Sequence, residues 1–75
     1  MSTDNSVTLR QLRYFVAAAE TGQFSMAATR AHVSQSAITN AVLLLEASLG
    51  VRLFDRKPHG VNLTAEGHGF YQRTR

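Results

Sequence analysis

The segment from Ser25 to Leu49, SMAATRAHVSQSAITNAVLLLEASL, does most to narrow the folds open to this chain. It reads as a short helix of small side chains from Met26 to Ala31, a tight turn at Ala31-His32-Val33, and a longer helix opening at Ser34. Small residues let a second helix approach closely, and a serine before an apolar periodic run marks a helix start. In the longer helix Ile38, Ala41, Val42, Leu45 and Leu49 share one face, and Gly50 supplies the stop. The opposite face carries Ser36, Asn40, Leu43 and Ala47, with Thr39 on the flank and Gln35 in the first turn. Such a helix pair anchors one side of its second member in the domain and leaves the polar N-terminal side free for a major groove.

The flanking residues complete a mainly α winged helix-turn-helix. Thr8 with Gln11 forms a capping box, and Val7 with Leu12 a hydrophobic staple, so the first helix starts there. Leu9, Leu12, Phe15, Val16 and Ala19 make its apolar stripe, and Gly22 ends it. Phe24 is expected between helices as a core plug, with Ser25 capping the second helix. After Gly50, the apolar runs VRLF (Val51 to Phe54) and VNL (Val61 to Leu63) flank a Lys57-Pro58-His59-Gly60 tip, which predicts a two-stranded wing. Leu53, Val61 and Leu63 should point inward, with Phe54 anchoring the hairpin. Thr64 can cap a fourth helix from Ala65, with Glu66 near its positive end; Gly67 and Gly69 should each weaken it by roughly 1 kcal/mol. Residues 1–6 read as a frayed polar tail, 7–63 as the winged domain and 64–75 as the start of a linker helix.

A chain of 75 residues holds one domain, whose folding buries only about 60% of its unfolded surface. No apolar run approaches the roughly 18 residues of a membrane span, and the first residues lack a signal-peptide plan. The absence of cysteine excludes disulfides and thiolate metal sites and agrees with a cytoplasmic location. A net charge of +3 favours a polyanionic partner, although many basic domains bind no nucleic acid. Catalysis is not expected. His32, His59 and His68 have no metal-ligand spacing, the carboxylates are scattered among separate elements, and there is no phosphate-cradling glycine loop.

The groove-facing side groups have a chemistry suited to base edges. Asn40 and Gln35 can bond the N6 and N7 edge of adenine, Thr39 and Ser36 can bond bases or phosphates, and Leu43 can touch a thymine methyl or pack on a neighbour. The bland reading of Asn40 is a solvated surface. Ser34 caps the helix and can also hold a phosphate. Arg30 near the turn and Arg52, Arg56 and Lys57 on the wing are the backbone-facing cations, with Asp55, Glu46 or Glu66 as alternative partners for Arg56. His59 sits at the wing tip, first as a turn residue and second as a backbone contact.

Four stretches in this order resemble the N-terminal DNA-binding domain of LysR-type transcriptional regulators. They are LRQLRYFVAAAETGQFSMAA (Leu9 to Ala28), VSQSAIT (Val33 to Thr39), LEASLGVRLFDR (Leu45 to Arg56) and VNLTAEG (Val61 to Gly67). The resemblance implies sequence-specific binding of double-stranded DNA, with helix 34–49 in the major groove and the basic wing 56–60 at the minor groove. It also implies a long fourth helix that pairs two subunits, a pseudo-palindromic operator, and a C-terminal domain, absent here, that senses a small molecule. Phe70 and Tyr71 are then dimer-contact residues, the alternative being packing on the first helix. The chain departs from the family pattern at Ser36, where proline is frequent, and at Asn40 and Leu43, where basic or polar residues are common, leaving the reading helix unusually poor in charge. Two rival functions remain. One is a winged protein-interaction module using Leu43, Leu44, Phe70 and Tyr71; the other is a stand-alone repressor without a sensor.

Overall fold

Local capping sets the helix ends, as the sequence predicts at most of them. The computed structural model describes residues 7–75, so the expected tail at 1–6 lies outside the described residues. Helix α1 (Leu9–Thr21) opens on Thr8, whose hydroxyl accepts from the Gln11 N–H while the Gln11 side chain accepts from the Thr8 N–H, both at 3.1 Å. It closes on Gly22 in the left-handed region, φ 75°, a conformation glycine adopts without steric cost. Its buried face is Phe15, Ala17 and Ala18. The expected stripe is therefore rotated: Leu12, Val16 and Ala19 only flank the core, and Leu9, in the first turn, is 63% exposed.

Helix α2 (Phe24–Ala31) begins two residues earlier than the predicted start at Met26. Gln23 occupies the cap position without a side-chain cap bond, Ser25 lies inside the helix and caps nothing, and Phe24 is its first residue, 7% exposed in the core. The demand to bury that ring overrides the better capping chemistry of serine. The helix ends on His32 at φ 60°, ψ 42°, and Val33 N–H returns to the Ala28 carbonyl at 3.0 Å. This six-to-one bond is a Schellman cap, here with histidine rather than glycine in the left-handed position. Helix α3 (Gln35–Leu49) then starts at Ser34, whose hydroxyl accepts from Ala37 N–H at 3.1 Å, and stops at Gly50, φ 72°.

Strands β1 (Phe54–Lys57) and β2 (Gly60–Leu63) pair antiparallel, Phe54 opposite Leu63 and Lys57 opposite Gly60, so Pro58 and His59 form the tip. The first strand thus lies further along than the VRLF run. Val51 to Leu53 serve instead as a connector, and Leu53, fully buried, points into the core from outside the ladder. Val61 and Leu63 do alternate inward, with Asn62 exposed.

Helix α4 (Ala65–Thr74) is capped by Thr64, whose hydroxyl accepts from Gly67 N–H at 2.9 Å and donates to the Arg52 carbonyl at 2.6 Å. The core gathers around Phe15, whose ring lies 5.4 Å from Phe54 and 5.2 Å from Phe70; Ile38, Val42, Leu45 and Leu53 fill the rest. Burying side chains of this size contributes about 1.5–3 kcal/mol each.

Candidate nucleic-acid interface

Helix α3 is divided lengthwise. Ile38, Ala41, Val42 and Leu45 are buried, which fixes the helix rotation and turns Ser36, Asn40, Leu43 and Ala47 outward. Gln35 is exposed in the first turn and Thr39 is half-buried on the flank, as the spacing predicts. Ser34 is exposed beside them with its hydroxyl engaged in the cap. Among the described residues no buried side-chain polar atom lacks a hydrogen-bond partner, so this polar face is not a by-product of a poorly satisfied interior.

The wing stands next to the start of this face. Gln35, Ser25, Arg56, Lys57, Pro58 and His59 line one open cleft between β1, the hairpin tip and the first turns of α2 and α3. The Arg56 guanidinium is seated over the Phe24 ring at 5.1 Å, a cation–π contact that holds it toward this cleft. The carboxylates weighed as its partners are used elsewhere or unpaired with it: Asp55 faces Arg52, and Glu46 binds the backbone. Lys57 and His59 are exposed and free of ion pairs among the described residues.

Two of the cations expected to face DNA make contacts within the domain. Arg30 reaches back to α1, its Nη1 2.7 Å from Glu20 Oε1. Arg52 donates to the Phe54 carbonyl at 3.2 Å and stands 3.8 Å from Asp55 Oδ1 at the base of the wing. The cleft therefore unites Gln35, Arg56, Lys57 and His59, and leaves Arg30 and Arg52 outside it.

Phe70 and Tyr71 pack on α1, their rings 5.2 and 6.5 Å from Phe15, and both stay half-buried. The Tyr71 hydroxyl donates to Glu20 Oε2 at 2.8 Å. That bond, followed by the one from Arg30, holds the Glu20 carboxyl below its usual pKa, and the same Glu20 bond raises that of Tyr71. Sequence reasoning missed three contributors. Ser25 and Phe24 join the cleft, the first as lining and the second as platform for Arg56, because α2 starts early. Glu46, by sequence a possible ion-pair partner, instead accepts from Leu53 N–H at 2.7 Å and Phe54 N–H at 3.3 Å, fixing the exit from α3 into the wing. No local pattern marks that role.

Three helices carrying a helix-turn-helix, a two-stranded wing and a capped fourth helix define a winged helix-turn-helix DNA-binding domain. Residues 9–68 match the family described as bacterial regulatory helix-turn-helix protein, lysR family, and the chain belongs to that family. It is 52% identical over 66 residues to the HTH-type transcriptional regulator TcbR of Pseudomonas sp. (strain P51), covering 88% of this chain and 22% of that regulator. The crystal structure of a CbnR_DBD-DNA complex superposes with a TM-score of 0.89 at 50% identity, covering 91% of this chain and 78% of the other. A BenM_DBD complex with catB site 1 DNA gives 0.86 at 40% identity, covering 89% and 74%. These relatives are transcriptional regulators and not enzymes. Among the described residues there is no helix long and apolar enough to cross a membrane, and no cluster of potential metal ligands.

Proposed function

We propose that this domain reads double-stranded DNA with α3 in the major groove while the wing lies against the neighbouring backbone and minor groove. One observation carries the reading: the uncharged Ser36-Asn40-Leu43 face is exposed beside a cleft that holds Arg56, Lys57 and His59. Gln35 and Asn40 supply the donor and acceptor pairs that match adenine edges, Ser36 and Thr39 supply hydroxyls, and Leu43, 49% exposed, offers an apolar contact for a thymine methyl. Arg56, Lys57 and His59 address phosphates or the minor groove, and Ser34 holds a phosphate at the helix start. Arg30 and Arg52 contribute to the positive field at longer range, since their guanidinium groups are engaged within the domain.

The chain spans 22% of the length of TcbR. Pairing of two copies through α4, a pseudo-palindromic operator, a small-molecule sensor elsewhere in the full regulator and a cytoplasmic setting are parts of the same proposal. The protein-contact alternative draws on the exposure of Leu43 and Leu44, 49% and 59%. It is weakened because Phe70 and Tyr71, the other half of that surface, lie against α1. Selection of bound duplexes from a random pool, followed by titration of the selected and a generic duplex at two salt concentrations, tests the reading. The selected duplex is expected to bind more tightly, and both affinities to fall as salt rises. Equal binding to all duplexes would remove base reading, and salt-independent binding would remove the phosphate contacts.

A further inference from the structure

We infer that Gly60 is a positioning residue for DNA binding: having no Cβ, it lets the wing seat against the corner between α1 and α2, which sets where Lys57 and His59 stand relative to α3. This rests on the wing reading proposed above. Gly60 has φ +143°, and a Cβ built there would lie 2.5 Å from the Gly22 carbonyl oxygen and 3.5 Å from Gln23 Cγ. The obstacle is backbone, so no side-chain rotation relieves it. The next residue exploits the approach, because Val61 N–H donates outward to the Gly22 carbonyl at 2.9 Å. That carbonyl is in position because Gly22 itself turns left-handed to end α1.

Gly60 is the ladder partner of Lys57, and Val61 the partner of Arg56, so the two wing cations are borne by the residues facing this seat. A two-stranded hairpin has little stability of its own. Here one strand is stitched to Gly22 and the other rests on Phe24, through the Phe54 ring at 5.6 Å and the Arg56 guanidinium at 5.1 Å. The wing is thus held before DNA arrives, and less ordering is left for the binding step. A methyl group at Gly60 must push the hairpin off the corner, break the bond from Val61 and carry Lys57 away from its place beside Gln35.

A double-mutant cycle tests this. In the parent chain, Lys57→Ala should reduce the slope of log affinity against log salt by about one, the signature of a lost phosphate contact. Gly60→Ala should keep the helical circular dichroism, weaken duplex binding about tenfold, and leave Lys57→Ala without further effect on the slope. Unchanged affinity in Gly60→Ala, or a full Lys57→Ala effect in that background, overturns the inference. A Lys57→Ala chain with the parent slope instead sinks the wing reading beneath it. Amide hydrogen exchange on the unmodified chain provides a test that needs no variant: Val61 N–H should exchange far more slowly than the amide of His59 at the tip, and equal rates would show that the seat does not exist.

Discussion

The Tyr71 hydroxyl and the Glu20 carboxylate meet at 2.8 Å, joining α4 to the end of α1, while Arg30 on α2 occupies the other carboxylate oxygen at 2.7 Å. The Tyr71 bond first, and Arg30 second, lower the Glu20 pKa from 4.5, so folding favours its charged form. That contribution is present above the unfolded value and is lost as pH falls through the lowered folded value. The Tyr71 pKa is raised from 10.0, so its share is present below that value and lost as pH climbs through the raised one. In urea midpoints measured against pH, Glu20→Gln should flatten the acid arm and Tyr71→Phe the alkaline arm, each modestly because solvent screens the pair. Unaltered arms would show that the three-helix contact does not persist in solution.

Glu46 ties the end of α3 to the wing by accepting the Leu53 and Phe54 amides. Removing the acceptor strands donors on two buried residues, so Glu46→Ala should cost about 1–3 kcal/mol in denaturant unfolding. Glu46→Gln, which keeps one oxygen, should lose less.

Two glycines of α4 should respond in opposite directions. A Cβ on Gly67 would collide with the Leu53 carbonyl oxygen and press Leu63 Cδ2 at 3.0 Å, whereas a Cβ on Gly69 meets nothing within 4 Å. Gly67→Ala should therefore destabilise by about 1–3 kcal/mol through overpacking. Gly69→Ala should stabilise by about 0.5–1 kcal/mol through helix propensity. Thermal melts of the two variants decide the matter, and shifts of the same sign would contradict the close approach of α4 to the connector.

The Asn40 side chain projects from α3 into solvent and, among the described residues, has no hydrogen-bond partner within the domain. If it reads adenine, Asn40→Ala should cost about 1–3 kcal/mol on a selected site and much less on a site altered at the contacted base pair. Competition binding across single-base variants measures this; a uniform loss would make Asn40 a backbone contact.

What could be read from the sequence was what neighbouring residues decide among themselves. The caps at Thr8, Ser34 and Thr64, the left-handed stops at Gly22 and Gly50, and the two faces of α3 follow from spacings of a few residues. The outward set Ser36, Asn40, Leu43 and Ala47 was legible because its complement is a clean apolar stripe. Failures came where distant segments compete. Phe24 pulls α2 forward past Ser25 to reach the core, the ladder begins at Phe54 because Leu53 is drawn inward, and Arg30 turns to a carboxylate on another helix. Gly67 looked like a weak point in a helix, and only the approach of the Leu53 carbonyl shows it to be a requirement.

Phe15 touches Phe54 from the wing and Phe70 from α4, while its own helix packs on α2 and α3. A hairpin that peels away, or a last helix that frays, opens the same cavity around one ring. Such coupling favours melting in a single all-or-none transition, in which the outward face of α3 and the wing are lost together.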